Sequence, residues 1–380
     1  MISPRTRSVG AALAVITAVV VGGASAASAD RTPAPTGRAS GSPARRPVVA
    51  VIGTGGTIAG VSASRVSFDD YRAGQLPVAK LVDALRPEVD EVADVRTVEY
   101  GDKASGDYTT ADYHDLSLLV DRQLATADAV VVTTGTQTME EFGYWLDLTV
   151  RSSKPVVLTG AMRPWTVIGS DGPPNLYNAI LLAASRTTRC FGSVVMLNDE
   201  IFAARDVTKT DTSRLDTFAS PELGELGTID GSQIRLRRAP ARVQYCARPE
   251  RWRTPFDLTK VARDGVPKVE IAYTYQGASG DAVTAFAAAG AKGIVLAGSP
   301  SPMQLAAAER AISAGVVFVA ASRNTSGAVY VSQPGLIAAE DLRPQKARIL
   351  LQLALAFSSD PAQVPVWFAR YGLTQFQAAG

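Results

Sequence analysis

Short apolar runs alternate with stretches of helical periodicity from residue 48 to about residue 235. Runs with the length of buried strands lie at residues 48–53, 92–100, 129–135, 155–160 and 192–199. Between them, apolar positions at helical spacing lie at residues 76–85, 110–124, 139–150 and 175–186. This alternation predicts an α/β protein with a mainly parallel sheet that is covered by helices on both faces.

The pattern changes after residue 225. The stretch GTIDGSQIRLRRAP places Asp-Gly between two strand-like runs and predicts a β-hairpin. Strand and helix patterns resume at VPKVEIAYTY (266–275) and continue to a C-terminal helix, QKARILLQLALAF (345–357). We therefore predict a larger N-terminal domain over residues 47–240, a linker over residues 241–265 and a smaller α/β domain over residues 266–380.

The N-terminus has a different composition. Arg5 and Arg7 precede an apolar run at residues 11–23, and an Ala-Ser-Ala site ends at Ala29, which predicts a signal peptide over residues 1–29. The run is shorter than the roughly 18–20 residues of a membrane span, so we expect no membrane anchor. Residues 30–46 are rich in Pro, Ser, Gly and Arg and predict a disordered leader. We expect a secreted protein, extracellular or periplasmic, after cleavage near Ala29.

Composition narrows the chemistry. The net charge is +2 and the folded part has no basic block, so nothing indicates nucleic acid as a partner. The two cysteines, Cys190 and Cys246, either pair or remain separate thiols, and the sequence leaves both open. His114, the single histidine, lies in an amphipathic helix pattern, and we expect it on the surface. One histidine argues against a Ser–His–Asp triad and against a His-rich metal site.

Three polar segments follow predicted strands: GTGGTIAG (53–60), KASGDYT (103–109) and TTGTQTMEE (133–141). Ligands in open α/β sheets bind beyond the carboxyl ends of the strands, so we expect these segments to meet at one edge. Thr138 and Glu141 have the spacing of a capping box, which predicts that a helix starts there. Thr136 and Gln137 would then lie at a helix N-terminus, where backbone N–H groups favour an anion.

GTGGTIAG fits either a phosphate-binding loop or a turn that exposes a hydroxyl. The dinucleotide pattern G-x-G-x-x-G would need glycine at Ile58, and the polar stretch that follows does not open a helix. A threonine becomes a nucleophile when a base takes its proton, and without histidine that base is a lysine, a tyrosine or a carboxylate. Lys209, among the hydroxyls of RDVTKTDT (205–212), is a candidate.

Four motifs together resemble the bacterial type II L-asparaginases, within the asparaginase-glutaminase family. They are GTGGTIAG, TTGTQTMEEFGYWLDLTV, KPVVLTGAMRPWTVIGSDGPPNLYNA and RDVTKTDT, and the likeness extends to RPQKARILLQLAL near the C-terminus. The resemblance implies an asparaginase-like fold of two α/β domains and a small-molecule amide substrate. It also implies a homotetramer with active sites at the dimer interface, and no metal or cofactor.

Carried over position by position, the resemblance implies functional residues. The implied catalytic residues are Thr57, Tyr71, Thr136 and Lys209, and the implied substrate-binding residues are Ser105, Gly106, Gly135, Gln137 and Ala161. Thr57 matches the nucleophile, Tyr71 the tyrosine of a mobile lid, and Lys209 the lysine that works with Thr136. Ser105 matches the serine that holds the substrate α-carboxylate, and backbone N–H groups near Ala161 would form the oxyanion site.

The chain departs from the family where the substrate ammonium is bound. Gln137 replaces an aspartate, and Gly106 replaces a glutamine. In the second domain, SPSPMQ (299–304) replaces a glycine-rich turn, and SRNTSGAVYVSQPG (322–335) offers no match for the ammonium-binding glutamate. Two hypotheses follow. The first is a secreted asparaginase-like amidohydrolase that hydrolyses L-asparagine, or a related side-chain amide, to the acid and ammonia through an acyl-enzyme on a threonine; its substrate lacks a free α-ammonium, or L-asparagine is a weak substrate. The second is a catalytically impaired binding or interaction protein on the same scaffold.

Overall fold

A computed structural model describes residues 45–330, 333–373, 375 and 376. The predicted signal peptide, and the predicted leader as far as residue 44, lie outside the described residues. Numbered along the chain, the strands are β1 (Val48–Gly53), β2 (Val61–Ser62), β3 (Tyr71–Arg72), β4 (Asp94–Glu99), β5 (Ala129–Thr133), β6 (Val156–Thr159), β7 (Ser193–Leu197), β8 (Glu200–Ala203), β9 (Thr208–Lys209), β10 (Phe218–Ala219), β11 (Gly227–Asp230), β12 (Gln233–Leu236), β13 (Val269–Tyr273), β14 (Gly293–Ala297), β15 (Val317–Ala321) and β16 (Leu336–Ala338). The α-helices are α1 (Val78–Asp83), α2 (Glu88–Val92), α3 (Thr110–Thr126), α4 (Met139–Thr149), α5 (Gly172–Ser185), α6 (Pro249–Trp252), α7 (Asp281–Ala288), α8 (Pro302–Ser313), α9 (Pro344–Phe357) and α10 (Gln363–Trp367).

The larger sheet has eight strands in the order β12-β11-β8-β7-β6-β5-β1-β4. Five neighbouring strands, β4, β1, β5, β6 and β7, run parallel, which confirms the predicted mainly parallel sheet. The other edge is antiparallel, and it includes the predicted hairpin, formed by β11 and β12. Sequence reasoning missed β8, which follows β7 after Asn198 and Asp199. Both residues have positive φ angles, of 51° and 62°, as a two-residue hairpin turn requires.

Helices cover both faces of this sheet. Every residue of β1 is buried, because β1 pairs with β4 on one side and β5 on the other. One face packs against α3 and α4. The opposite face packs against α1, α2 and α5. The helices cover the faces of the sheet, and the three polar segments follow the carboxyl ends of its parallel strands β1, β4 and β5.

The smaller sheet, β13-β14-β15-β16, is parallel throughout. Helices α7 and α8 pack on one face of it. Helix α9 packs on the other face and also contributes to the core around α4. The fold is thus the two-domain asparaginase-like fold that the motifs imply, and α9 connects the cores of its two parts.

The segment between the sheets is fastened to the larger one. A disulfide joins Cys190 to Cys246, so the structure shows the cysteines paired. The indole N–H of Trp252 donates to the Cys190 carbonyl at 2.9 Å, and Arg242 forms an ion pair with Asp147 at 3.0 Å. In the described part of the chain, no helix combines the length and the apolar character that a membrane crossing requires.

The prediction for His114 was wrong. Its side chain is buried, at 5% exposure, and its Nε2 lies 3.0 Å from the Val261 carbonyl oxygen. Residues 258–261 cover the face of α3 that the helical pattern predicts to be exposed to solvent. The imidazole lies under that cover as a structural group.

Candidate active site

The three polar segments meet, as predicted, beyond the carboxyl ends of β1, β4 and β5. The Thr54 N–H donates to the Thr133 carbonyl, and the Gly56 N–H donates to the Lys103 carbonyl, both at 3.0 Å. Gly56 has a φ of 78°, and a Cβ there would overlap the backbone of Gly135. Glycine is therefore required where the first and third segments touch, which brings the neighbouring residues Thr57 and Thr136 toward each other.

Thr57 is paired with Tyr71. Thr57 starts a short 3-10 turn, Thr57–Ala59, and Tyr71 lies on β3 of the small β2–β3 hairpin. The two hydroxyl oxygens are 2.7 Å apart. The tyrosine ring lies against Gly60, where a Cβ would come within 2.9 Å of the ring. The turn holds no full helix, so the dinucleotide alternative lacks the helix N-terminus that a pyrophosphate needs.

Thr136 is paired with Lys209. Thr136 is buried, at 5% exposure, and the Lys209 ammonium nitrogen donates to its Oγ1 at 2.9 Å. Lys209 lies on β9, which pairs with β10 in a separate two-stranded sheet. Burial lowers the pKa of Lys209, and the nearby Asp211 carboxylate opposes that effect. The lysine is thereby biased toward the neutral amine that can accept a proton.

Helix α4 starts at Met139 with Thr138 as its N-cap, as predicted, but the predicted capping box does not form. The Thr138 hydroxyl donates instead to the Ser105 carbonyl at 3.1 Å, because the second segment lies beside the helix start. Gln137 is exposed just before the cap. Burial raises the pKa of Glu141 to about 7, and the neighbouring Glu140 adds to the effect.

Ser105 is half-buried and lies against Gly135. A Cβ on Gly135 would overlap the Ser105 hydroxyl oxygen, so the serine side chain fills the space that glycine leaves. Gly106 is exposed, and open space surrounds the position of a Cβ there. The structure thus brings Ser105, Gly135 and Gln137 to the edge where Thr57 and Thr136 lie.

Ala161 lies in the loop after β6 and is fully buried. The Asp171 carboxylate accepts hydrogen bonds from the Met162 and Arg163 N–H groups, both at 2.9 Å. The Asn175 amide donates to the Gly160 carbonyl and to Asp171, both at 3.0 Å. Sequence reasoning missed these two supports. The available signal was that Asp171 lies in the motif KPVVLTGAMRPWTVIGSDGPPNLYNA, directly before α5. That position suggests a helix cap, but the Asp171 side chain binds the loop and does not cap its own helix.

The altered segments of the second domain form a separate cleft. A cavity of about 720 Å³ opens beyond the carboxyl ends of β13, β14 and β15. Residues 299–301 and parts of 322–335 line it, so the structure brings both altered segments together. Ser301 and Gln304 form a capping box at the start of α8. Among the lining residues that the structure describes, Arg323 alone carries a charge, and none is acidic.

Comparison with known proteins agrees with this fold. The family model "Asparaginase, N-terminal" matches residues 48–242, and the model "Glutaminase/Asparaginase C-terminal domain" matches residues 268–368. This chain belongs to the asparaginase family. It is an amidohydrolase of the asparaginase type, which confirms the enzyme class predicted from the sequence.

Individual members of the asparaginase family resemble the chain over most of its length. It is 40% identical to a probable periplasmic L-asparaginase of Haemophilus influenzae, over 85% of this chain and 92% of the relative. It is 38% identical to L-asparaginase 2 of Escherichia coli, over 87% and 95% respectively. A crystal structure of a probable cytoplasmic L-asparaginase from Campylobacter jejuni superposes with a TM-score of 0.79, at 38% identity, over 85% of this chain and 99% of that one.

Proposed function

We propose that this protein hydrolyses L-asparagine, or a related side-chain amide, to the acid and ammonia through an acyl-enzyme on Thr57. The observation that carries the proposal is that two hydrogen-bonded pairs, Thr57 with Tyr71 and Thr136 with Lys209, lie on either side of the contact between Gly56 and Gly135. A bound amide at this junction would face a nucleophile and a base together. This arrangement favours the amidohydrolase over the non-catalytic binding protein, which has no need of either pair.

In the first step, Thr57 Oγ1 attacks the amide carbon and passes its proton to the Tyr71 oxygen, 2.7 Å away, while the Tyr71 phenol gives its own proton to the amide nitrogen. Backbone N–H groups near Ala161 stabilise the oxyanion, apart from those of Met162 and Arg163, which donate to Asp171 and tie the loop to it. With this proton, the amide nitrogen leaves as ammonia. The acyl group of the substrate is then bound to Thr57 as an ester.

In the second step, water attacks this ester. The Thr136–Lys209 pair accepts the proton of the attacking water, since burial favours the neutral form of the lysine. Thr57 leaves as its alcohol and takes up the proton that the Thr136–Lys209 pair accepted from water, which restores both pairs. The sum of both steps is amide plus water giving carboxylic acid plus ammonia.

Recognition of the rest of the substrate is divided between two groups of residues. Ser105, close against Gly135, is suited to hold a carboxylate at the helix N-terminus of α4. An α-ammonium lacks its expected partners, because Gln137 is neutral and Gly106 has no side chain. We place the active sites at the dimer interface of a homotetramer, where the altered second-domain segments would have to supply the missing carboxylate. The cleft that these segments form around Arg323 has no carboxylate among its described lining residues. Losing one charge-assisted hydrogen bond weakens binding by roughly 1.5–3 kcal/mol.

The experiment is an ammonia-release assay with four amides: L-asparagine, L-glutamine, N-acetyl-L-asparagine and succinamic acid. We expect turnover of at least one amide, and a ratio of kcat/KM for L-asparagine to kcat/KM for succinamic acid that is low for an asparaginase. The Thr57→Val variant serves as the control and should release no ammonia. Absence of turnover with all four amides by folded, tetrameric protein would favour the binding-protein hypothesis.

We also propose that the protein is exported after cleavage near Ala29. A relative is named as periplasmic, whereas a structural neighbour is named as cytoplasmic, so the compartment requires its own test. The Cys190–Cys246 disulfide supports export, because such bonds persist in oxidising compartments. N-terminal sequencing of protein from the culture medium or periplasm should begin near Asp30, whereas intact Met1 would contradict export.

A further inference from the structure

The short strand that carries Lys209 has little of its own to hold it. Strand β9 is two residues long and, among the strands of the described residues, pairs with β10 alone, apart from the eight-stranded sheet. The lysine side chain is a flexible chain of four carbons that does not fix the position of its own amine. The distance from that amine to Thr136 therefore depends on where the backbone of β9 lies. Something outside the small sheet must fix that backbone relative to α4.

Helix α4 contacts this strand at a second point, one residue from the lysine. The Thr208 hydroxyl donates to Glu140 Oε1 at 3.2 Å. Glu140 lies in the first turn of α4, four residues after Thr136, and is only 6% exposed. Two neighbouring residues of β9 are therefore tied to the start of α4, one through Thr136 and one through Glu140.

Helix α9 of the second domain completes the arrangement. The Gln345 amide donates to the same Glu140 oxygen at 3.0 Å. Lys346, only 1% exposed, donates its ammonium protons to the carbonyls of Arg205, at 2.8 Å, and Val207, and lies 3.9 Å from Glu140 Oε2. We call Glu140, Thr208, Gln345 and Lys346 the clamp. It holds the chain leading into β9 from both the α4 side and the α9 side.

Stability alone is a weak explanation for the clamp. Burying a lysine and a glutamate is expensive, and well-packed apolar residues often stabilise a protein as well as a buried ion pair does. What an apolar pair cannot supply is a direction: three of the four hydrogen bonds of the clamp involve a particular atom of residues 205–208, and the fourth, from Gln345, fixes the Glu140 carboxylate that Thr208 contacts. The specificity of these contacts is for the position of β9 relative to Thr136.

We propose that the clamp positions Lys209 for catalysis, with Glu140, Thr208, Gln345 and Lys346 acting as positioning residues that do not touch the substrate. The inference rests on the proposed function, because it gives the clamp the task of holding the Thr136–Lys209 pair at hydrogen-bond distance. It also gives a role to Gln345 and Lys346 of the RPQKARILLQLAL motif, so that α9 supports the active site.

Thr208 offers the sharpest test, because its hydroxyl can be removed without changing the shape of the side chain. Thr208→Val deletes the bond to Glu140, and Thr208→Ser keeps a hydroxyl at the same place. Thr210→Val is the matched control, since the Thr210 hydroxyl bonds the Thr217 carbonyl in the same β9–β10 hairpin and does not reach the clamp. All three variants are compared with wild type in kcat, KM and melting temperature, on whichever of L-asparagine and succinamic acid has the higher wild-type kcat.

We expect kcat of Thr208→Val to fall between about ten- and a hundredfold with little change in KM, the range for misplacement of a catalytic group. Thr208→Ser should recover most of that loss, and Thr210→Val should keep the wild-type kcat. An unchanged kcat in Thr208→Val overturns the inference, and so does an equal loss in Thr208→Ser or in Thr210→Val. If Thr208→Val fails to fold, Gln345→Met removes the other bond to the same glutamate oxygen and is judged by the same kcat and KM.

A separate variant distinguishes failure of this inference from failure of the proposed function. Lys209→Met removes the amine itself. If it keeps full activity, the proposed role of Lys209 is wrong, and the inference falls with it. If Lys209→Met is inactive while Thr208→Val is fully active, the catalytic role stands and only the positioning role is rejected.

Discussion

Lys209 Nζ lies 2.9 Å from Thr136 Oγ1, a hydrogen bond between residues 73 positions apart in the chain. The bond joins the edge of the main sheet to a two-stranded sheet outside it. Burial lowers the pKa of this lysine, whereas Asp211 raises it. The balance between these two effects determines the pH at which Lys209 becomes a proton acceptor.

The first prediction concerns the acid limb of the pH profile. A base must be neutral to accept a proton, so kcat should rise as Lys209 loses its proton with increasing pH. Asp211→Asn removes the charge that raises the lysine pKa and keeps the Oδ1 acceptor for the Ser213 and Arg214 N–H groups. The acid limb of kcat should therefore move to lower pH, and the movement should shrink at high salt. A limb that stays in place, or moves to higher pH, would contradict this account of Lys209.

The second prediction concerns Tyr71. Its hydroxyl is 2.7 Å from Thr57 Oγ1, and Tyr71→Phe keeps the ring against Gly60 while removing that oxygen. We expect kcat for ammonia release to fall by about 10²–10⁴-fold, the usual contribution of a general acid or base, with an unchanged melting temperature. Thr57→Ser is the control, since it keeps a hydroxyl nucleophile and should retain measurable turnover. A Tyr71→Phe variant with wild-type kcat would show that the tyrosine takes no part in proton transfer.

The predicted part of the site depends on where strands end. Thr57, Ser105 and Thr136 could be placed together because each follows a predicted parallel strand, and parallel strands gather their carboxyl ends at one edge. Lys209 could not be placed that way, because a two-residue strand has no periodicity to detect. Only the resemblance to the family linked it to Thr136. The same reasoning explains the missing capping box, since the carbonyl that takes the Thr138 hydroxyl belongs to Ser105 on another segment.

The fold shows a similar division. Strand β1 was predictable because six consecutive buried residues leave an apolar run in the sequence. Strand β8 was missed, although the pair Asn198-Asp199 is compatible with a tight hairpin turn. The alternation of strands and helices predicts that a helix follows each strand, and β8 follows β7 without one. The burial of His114 was beyond reach of the helical pattern, because residues 258–261 cover it from more than 140 positions away along the chain. Local patterns report the element itself and not the segment that later packs on it.

The third prediction is a pH-dependent stability at Glu141. Its folded pKa is raised from 4.5 to about 7, mainly by burial, so between these values the folded protein holds a proton that the unfolded chain has lost. Stability from this group is therefore complete below pH 4.5 and declines as the pH rises through 7. Glu141→Gln should remove that decline and gain up to about 3 kcal/mol at pH 8 relative to pH 5. Chemical denaturation at both pH values measures it, with the exposed Glu91→Gln as control, and a decline that persists in Glu141→Gln would count against a raised pKa.

The fourth prediction concerns the disulfide. Cys190 and Cys246 close a loop over a separation of 56 residues and hold the segment after β12 to the larger sheet. Replacing both by alanine should lower the free energy of unfolding by about 2–5 kcal/mol, since the unfolded chain loses a constraint. Denatured wild-type protein should show no reactive thiol until a reductant is added. Two reactive thiols in protein recovered from its natural compartment would mean that the pair is open there.

The central claim is that the hydrolytic residues are intact while recognition of the α-ammonium is lost at Gln137. The most direct measurement is the ratio of kcat/KM for L-asparagine to that for succinamic acid, which lacks the amine, in wild type and in Gln137→Asp. A restored carboxylate would regain a charge-assisted hydrogen bond, so the ratio should rise between about ten- and a hundredfold, through L-asparagine alone. An unchanged ratio, or an equal change for both substrates, would contradict the claim that Gln137 decides the reading of the ammonium.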